Sequence, residues 1–296
     1  MKFEQDPMAV LTEEHSAAEQ RNYVGSFCGF VLLQQASYDL TALAQRLAQR
    51  WGIVPQRGAD DAITVEGGQE GDWLDQLLAE ETVDILTEPE IADGNLVFDV
   101  DGAMIAVGYM PAPVPEGEAE RFAANNYFWP GAVEATASHR AHLMVAVLPR
   151  DMEPLEAGKT YVKLISSCLE DENAIGVYTS GTVLEPAFYQ KGTAAMEQGE
   201  LPILNWLYFG VYENEQGNHA YTIGMDAFGK DELEILASRH TPEELREFLF
   251  DVAYYVLEGD ITLKDGETIG FSEEQRLPMK RGDGVAVEGH SIQIAY

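Results

Sequence analysis

Apolar residues along the chain recur with two periods. Phe27–Leu33 (FCGFVLL) and His142–Leu148 (HLMVAVL) are short continuous apolar runs, the pattern of strands buried on both faces. Leu40, Leu43, Leu47 and Trp51 recur at helical spacing and predict a helix over 38–51, closed by Gly52. Residues 96–100 and 103–110 alternate around Asp101-Gly102, a hairpin signal because Gly accepts the positive φ of a type I′ turn. The run 110–115 (MPAPVP) must be extended, since each proline fixes its own φ and turns its predecessor away from helix. A helix over 116–126 follows, with Glu116, Glu118 and Glu120 in its first turn, where the helix dipole favours negative charge. It breaks at Asn125–Trp129 and restarts with Pro130 in the first turn of a new helix.

Further along, the pattern predicts a helix over 155–169, a strand over 174–178, a loop over 179–182 and a helix over 186–198. Two long strands are predicted over 203–212 and 219–225. Thr241-Pro-Glu-Glu244 is a capping-box signature for a helix to about residue 258, with Leu245, Phe248, Leu249, Val252 and Tyr255 as its apolar face. Hairpins are read over Asp265-Gly266, joining 261–263 to 268–271, and over Glu288-Gly289. In symbols, 27–148 and 174–271 each read strand, helix, hairpin, helix, strand. The predicted fold is therefore α+β, with two tandem ferredoxin-like βαββαβ units, each an antiparallel sheet with helices on one face. The units span 25–150 and 174–296, joined by a connecting helix within 151–173. Residues 1–24 read as a flexible arm or short covering helix, and 55–94 as a Gly-rich acidic insertion with a helix near 72–86, faced by Trp73, Leu77 and Leu78.

Composition narrows the classes of partner. Of 296 residues, 51 are Asp or Glu and 18 Lys or Arg, a formal charge of −33 that repels phosphate backbones and anionic headgroups. Nucleic acid and membranes are thereby disfavoured, and a basic protein partner is favoured. The acid-studded first two dozen residues lack the apolar core of a signal peptide, and no run reaches a membrane span, so a cytoplasmic location is expected. Cys28 and Cys168 sit in apolar runs and read as buried free thiols.

Several segments look familiar as residues. MPAPVPEGEAE, NNYFWPGAVEATASHRAHLMVAVL, NAIGVYTSGTVLEPAFY, ELPILNWLYFGVY and PEELREFLFDVAYYVLEGDITLKDGETIGFS resemble, in order, the bacterial family catalogued as domain of unknown function 4261. The resemblance implies no reaction, cofactor or catalytic residue.

The candidate chemistry is sparse. His139 and His142, three apart with Glu134 nearby, have the residue types of a metal site but not the three or four ligands at recognisable spacing that zinc requires; the competing reading is two imidazoles hydrogen-bonded to backbone. Asn125, Asn126, Tyr127, Phe128 and Trp129 gather amides and aromatics at the helix break, and Asn205, Trp206, Tyr208 and Phe209 repeat the combination. The two clusters either line a ligand cleft, with Asn125, Asn126, Tyr127, Trp129, His139, His142, Asn205 and Trp206 facing it, or pack as core. Thr179-Ser-Gly-Thr182 sits where backbone amides can hold an anion, but it lacks the glycines and lysine of a phosphate loop and reads as a capping turn. Acidic pairs, Asp231-Glu232 among them, read as solvated faces because adjacent residues point apart. No nucleophile elbow is present and no cofactor or metal is implied. A non-catalytic module that binds a basic protein, of toxin-neutralising or immunity type, is the leading functional reading; an enzyme or small-molecule sensor using the cleft is the alternative.

Overall fold

The computed structural model describes residues 24–55, 90–92, 94–272 and 274–296. The arm read over 1–24, Val24 excepted, and the insertion helix around Trp73, Leu77 and Leu78 lie outside them. The chain is a mixed α+β protein whose described strands form two sheets. Contacts divide it into one unit of Gly25–Asn205 and another built on Trp206–Tyr296.

The first unit holds a sheet of seven described strands. They are β1 (Phe27–Leu33), β2 (Glu90–Ala92), β3 (Asn95–Val100), β4 (Ala103–Met110), β5 (Ala141–Pro149), β6 (Ala174–Thr179) and β7 (Thr182–Leu184), in the order β2-β3-β4-β5-β1-β6-β7. Every pairing is antiparallel. Asp101 (φ 45°) and Gly102 (φ 90°) make the β3–β4 turn, as their sequence demands. The continuous apolar runs β1 and β5 are the adjacent central strands.

Helices cover both faces of this sheet, and period-2 alternation assigns them. Phe27 and Gly29 of β1 face α4 (Pro154–Cys168), where Phe27 stacks on Tyr161 at 5.7 Å and the Tyr161 hydroxyl occupies the space a Cβ at Gly29 would need. Phe30 and Leu32 face the opposite way, toward α2 (Glu118–Ala123) and α3 (Ala132–Thr136). There Leu32, Tyr178 and Val183 pack with Val114, Ala119, Ala123 and Ala132. Helix α1 (Leu40–Trp51) begins at Asp39, which caps the amides of Thr41 and Ala42, and ends at Gly52 (φ 67°). It packs on α4, as does α5 (Pro186–Glu197).

Three expectations need correction. A ferredoxin-like unit places its first strand between the third and fourth, whereas here the fourth, β5, lies between the third, β4, and the first, β1. Strand β6, read as the start of a second unit, instead pairs with the far edge of β1. Helix α4, read as a connector, is a core helix with Tyr161, Val162, Leu164 and Ile165 buried. One physical reason underlies all three: apolar periodicity reports how deeply a segment is buried and says nothing about which edge it pairs with. An apolar strand such as β1 leaves two edges of unpaired amides to cover, and β6–β7 covers the second.

The second unit begins within α6 (Ile203–Trp206) and contains β8 (Tyr208–Asn214), β9 (Gly217–Ile223), β10 (Glu232–Ser238), α7 (Pro242–Glu258), β11 (Thr268–Ile269), β12 (Leu277–Asp283) and β13 (His290–Ile294). Its sheet order is β11-β12-β13-β10-β9-β8, with β10 and β13 parallel. The capping box at Thr241 and Glu244 is present, and α7 buries Leu245, Phe248, Leu249 and Val252 against the sheet. The long strand expected over 203–212 starts with a helical turn, β10 is a strand additional to those expected, and β11 pairs with β12 rather than with 261–263.

Candidate functional site

The helix break between α2 and α3 is built from side-chain amides. Asn125 Nδ2 donates to the carbonyl of Gly181 at 3.1 Å and Asn126 Nδ2 to that of Val183 at 2.6 Å. These carbonyls belong to the β6–β7 turn and to β7, the last of the described strands of its sheet, so the amides cover groups that an edge strand would otherwise present. Asn126 Oδ1 accepts from the amides of Phe128 at 2.7 Å and Trp129 at 2.9 Å, which replaces helical bonds lost at Pro130. Trp129 consequently turns inward onto the Leu32–Val183 cluster, while Tyr127 and Phe128 point outward, 38% and 52% exposed. The 179–182 loop is a two-residue hairpin turn through Ser180 (φ 45°) and Gly181 (φ 73°), not a capping turn.

Both predicted histidines are buried and hold the proline-rich segment. Val114 N–H donates to His139 Nε2 at 2.8 Å, so the His139 proton sits on Nδ1, which donates to the Thr136 carbonyl. His142 Nδ1 donates to the Ala112 carbonyl at 2.9 Å. Proline cannot offer the sheet-like bonds that would tie 110–115 to its neighbours, and these imidazoles supply anchors in their place. Glu120 lies 3.6 Å from His139 Nδ1. Among the described residues no group of three or more His, Cys, Asp or Glu is arranged to hold a metal.

Asn205 and Trp206 do not act as a pair. Asn205, 1% exposed, donates to the Tyr189 carbonyl at 2.9 Å, and its amide fills the space beside Gly192 of α5. Trp206 opens the second unit and packs on Phe228, ring centroids 5.1 Å apart. Cys28 and Cys168 are both free; Cys28 is exposed, contrary to expectation, and burial pushes the Cys168 thiol up to about 12.

Two glutamates that sequence reasoning missed form the most elaborate polar construction of the second unit. Glu232 and Glu234 stand two apart on β10 and are both buried. Glu232 accepts from the Thr222 hydroxyl and from the amides of Gly224 and Met225, folding the chain after β9 back onto the sheet. Burial raises its carboxyl to about 7 against those hydrogen bonds, with Asp226 adding to the rise. Glu234 accepts from the amides of Val285 and Ala286 and from the Ser291 hydroxyl, which pins the β12–β13 loop. Only Asp231 of the pair read as solvated is at the surface, forked onto Arg281 at 2.6 and 2.9 Å. Alternation of Glu with Leu233 and Ile235 resembles a half-exposed strand; the missing signal is that polar donors, not water, face the glutamates.

An open cavity of about 600 Å³ lies in the first unit between the β1–α1 and α4–β6 loops, lined by Gln34, Gln35, Tyr38, Asp39, Asp171 and Asn173 among others. None of the sequence-predicted site residues lines it.

Against this geometry, residues 221–295 match the family model described as domain of unknown function (DUF4261). The similarity to this family is thus located in the C-terminal part of the chain. The DUF4261 match begins in β9 and takes in β10, α7 and β11 to β13, hence Glu232, Glu234 and every group they bind. The segments between Met110 and Tyr212 that share the resemblance lie outside the matched range. No curated protein and no solved structure matches the chain.

Proposed function

We propose that the protein is a non-catalytic binding module that captures a basic protein through its acidic surface, with a toxin-neutralising or immunity-type role as the concrete form. The observation that carries this reading is the formal charge of −33, a field that steers basic partners and speeds their encounter at low ionic strength. It gains support from how the residues of the alternative, an enzyme or small-molecule sensor, are employed. The amides of Asn125 and Asn126 and the imidazoles of His139 and His142 are bonded to backbone, which leaves them scaffolding roles. Affinity capture from native extract, repeated at low and high salt, is the test: a partner rich in Lys and Arg, released by salt, is the expected result. Recovery of a partner whose retention ignores salt would sink the proposal.

A further inference from the structure

We infer that the outward aromatic face formed by Tyr127, Phe128 and Phe188 is a docking surface for a polypeptide segment bearing Lys or Arg beside an apolar side chain. This rests on the acidic-capture reading and adds a place to it. Among the described residues, the large apolar side chains left in solvent include Tyr127, Phe128 and Val133, all in one short stretch. Tyr127 and Phe128 pack ring to ring at 4.4 Å, and Phe128 stacks on Phe188 of α5 at 5.4 Å with planes 22° apart, so the rings form one continuous surface.

The outward pose is held rather than incidental. Asn126 is tied at three points, to Val183 O, Phe128 N and Trp129 N, and this turn lays the partly buried Trp129 against the Leu32–Val183 cluster while Phe128 faces water. A backbone that already packs one aromatic of the break against the cluster presents its neighbours on a rigid base, and rigid aromatic anchors lose little entropy on binding. Charge selects the occupant. Glu134 adjoins Val133, and Glu185 lies one helical turn before Phe188; both are exposed, and the Glu185 side chain caps no amide of α5. Lys191, one turn beyond Phe188, is the basic neighbour on the same helix. An exposed aromatic surface with Glu185 one helical turn from Phe188, in a chain of net −33, attracts a cationic side chain that can stack on the rings, and the net charge repels acidic segments.

The test titrates the full chain with two short synthetic amphipathic peptides of equal length and spacing, one of Lys and Leu, the other of Glu and Leu. Binding is read from aromatic NMR signals in the wild type, in Phe128→Ser and in Tyr127→Ser/Phe128→Ser. The expected result is binding of the Lys/Leu peptide with shifts centred on Tyr127, Phe128 and Phe188, weakened about tenfold or more in the double variant, and no binding of the Glu/Leu peptide. Equal affinity in the double variant overturns the surface while leaving acidic capture standing. Failure of the Lys/Leu peptide to bind the wild type, or equal binding of the Glu/Leu peptide, overturns the inference too. A concentration-dependent dimer abolished by Phe128→Ser overturns it in favour of a second copy. Both substituted side chains are exposed, so an unchanged thermal transition is expected, with Phe128→Ser alone as the milder variant.

Discussion

Replacing Glu234 tests whether buried carboxylates hold the second unit together. In Glu234→Ala, three donors lose their acceptor: Val285 N–H, Ala286 N–H and Ser291 O–H. Each donor left buried and unpaired costs about 1–3 kcal/mol. Val285 is 61% exposed, so its loop can turn the two amides to water, but Ser291 is fully buried and cannot follow. One stranded hydroxyl, a void of side-chain size and a released loop together predict a loss of about 2–4 kcal/mol, less the relief of no longer burying a carboxylate. Glu234→Gln keeps one oxygen for the amides and offers its NH₂ to Ser291 Oγ, for a loss of about 1 kcal/mol. Urea unfolding followed by circular dichroism gives the totals. Hydrogen exchange locates them, with faster exchange expected first at Val285 and Ala286. A Glu234→Ala protein within about 0.5 kcal/mol of wild type, or Glu234→Gln as unstable as Glu234→Ala, would refute the reasoning.

Three further outcomes are expected. Because the Glu232 carboxyl rises from an ordinary 4.5 to about 7 in the fold, its contribution to stability is complete below pH 4.5 and is lost as pH climbs through 7, a change of about 3 kcal/mol; Glu232→Gln should flatten that part of the stability–pH curve, and an unchanged slope would reject the assignment. Gly192→Ala drives a methyl into the Asn205 amide and should lower stability by about 1–3 kcal/mol in thermal melts, whereas Gly199→Ala, with nothing near its Cβ, should cost only the strain of its φ of 94°. Asn126→Ala removes three hydrogen bonds and uncovers the Val183 carbonyl, so a loss of about 1–2 kcal/mol should accompany greater self-association by light scattering; a variant that is less stable but stays monomeric would mean that the amide does not guard the edge.

Much of the local structure was legible because its causes are local. Asp101-Gly102, the Thr241–Glu244 box, the break before Pro130 and the closure of α1 at Gly52 each depend on residues a few positions apart. The candidate site was legible only as residue types. Asn126 was marked by its company at a helix break, but its partner Val183 is 57 positions away. Glu234 was hidden for the same reason, since its donors Val285 and Ala286 lie 51 and 52 positions along the chain.

What the order of amino acids settles here is where chain direction changes, which segments are buried, and a formal charge of −33, because backbone sterics, periodicity and charge are carried by the residues themselves. Which strands become neighbours, and whether a buried polar group meets a donor or a void, was settled by folding. β1 is apolar along its length and accepts β5 on one edge and β6 on the other, although nothing in its own residues specifies either. The helix break at Asn125–Trp129 follows from Pro130; that it turns Trp129 inward and Phe128 outward follows from the carbonyl that Asn126 finds on β7.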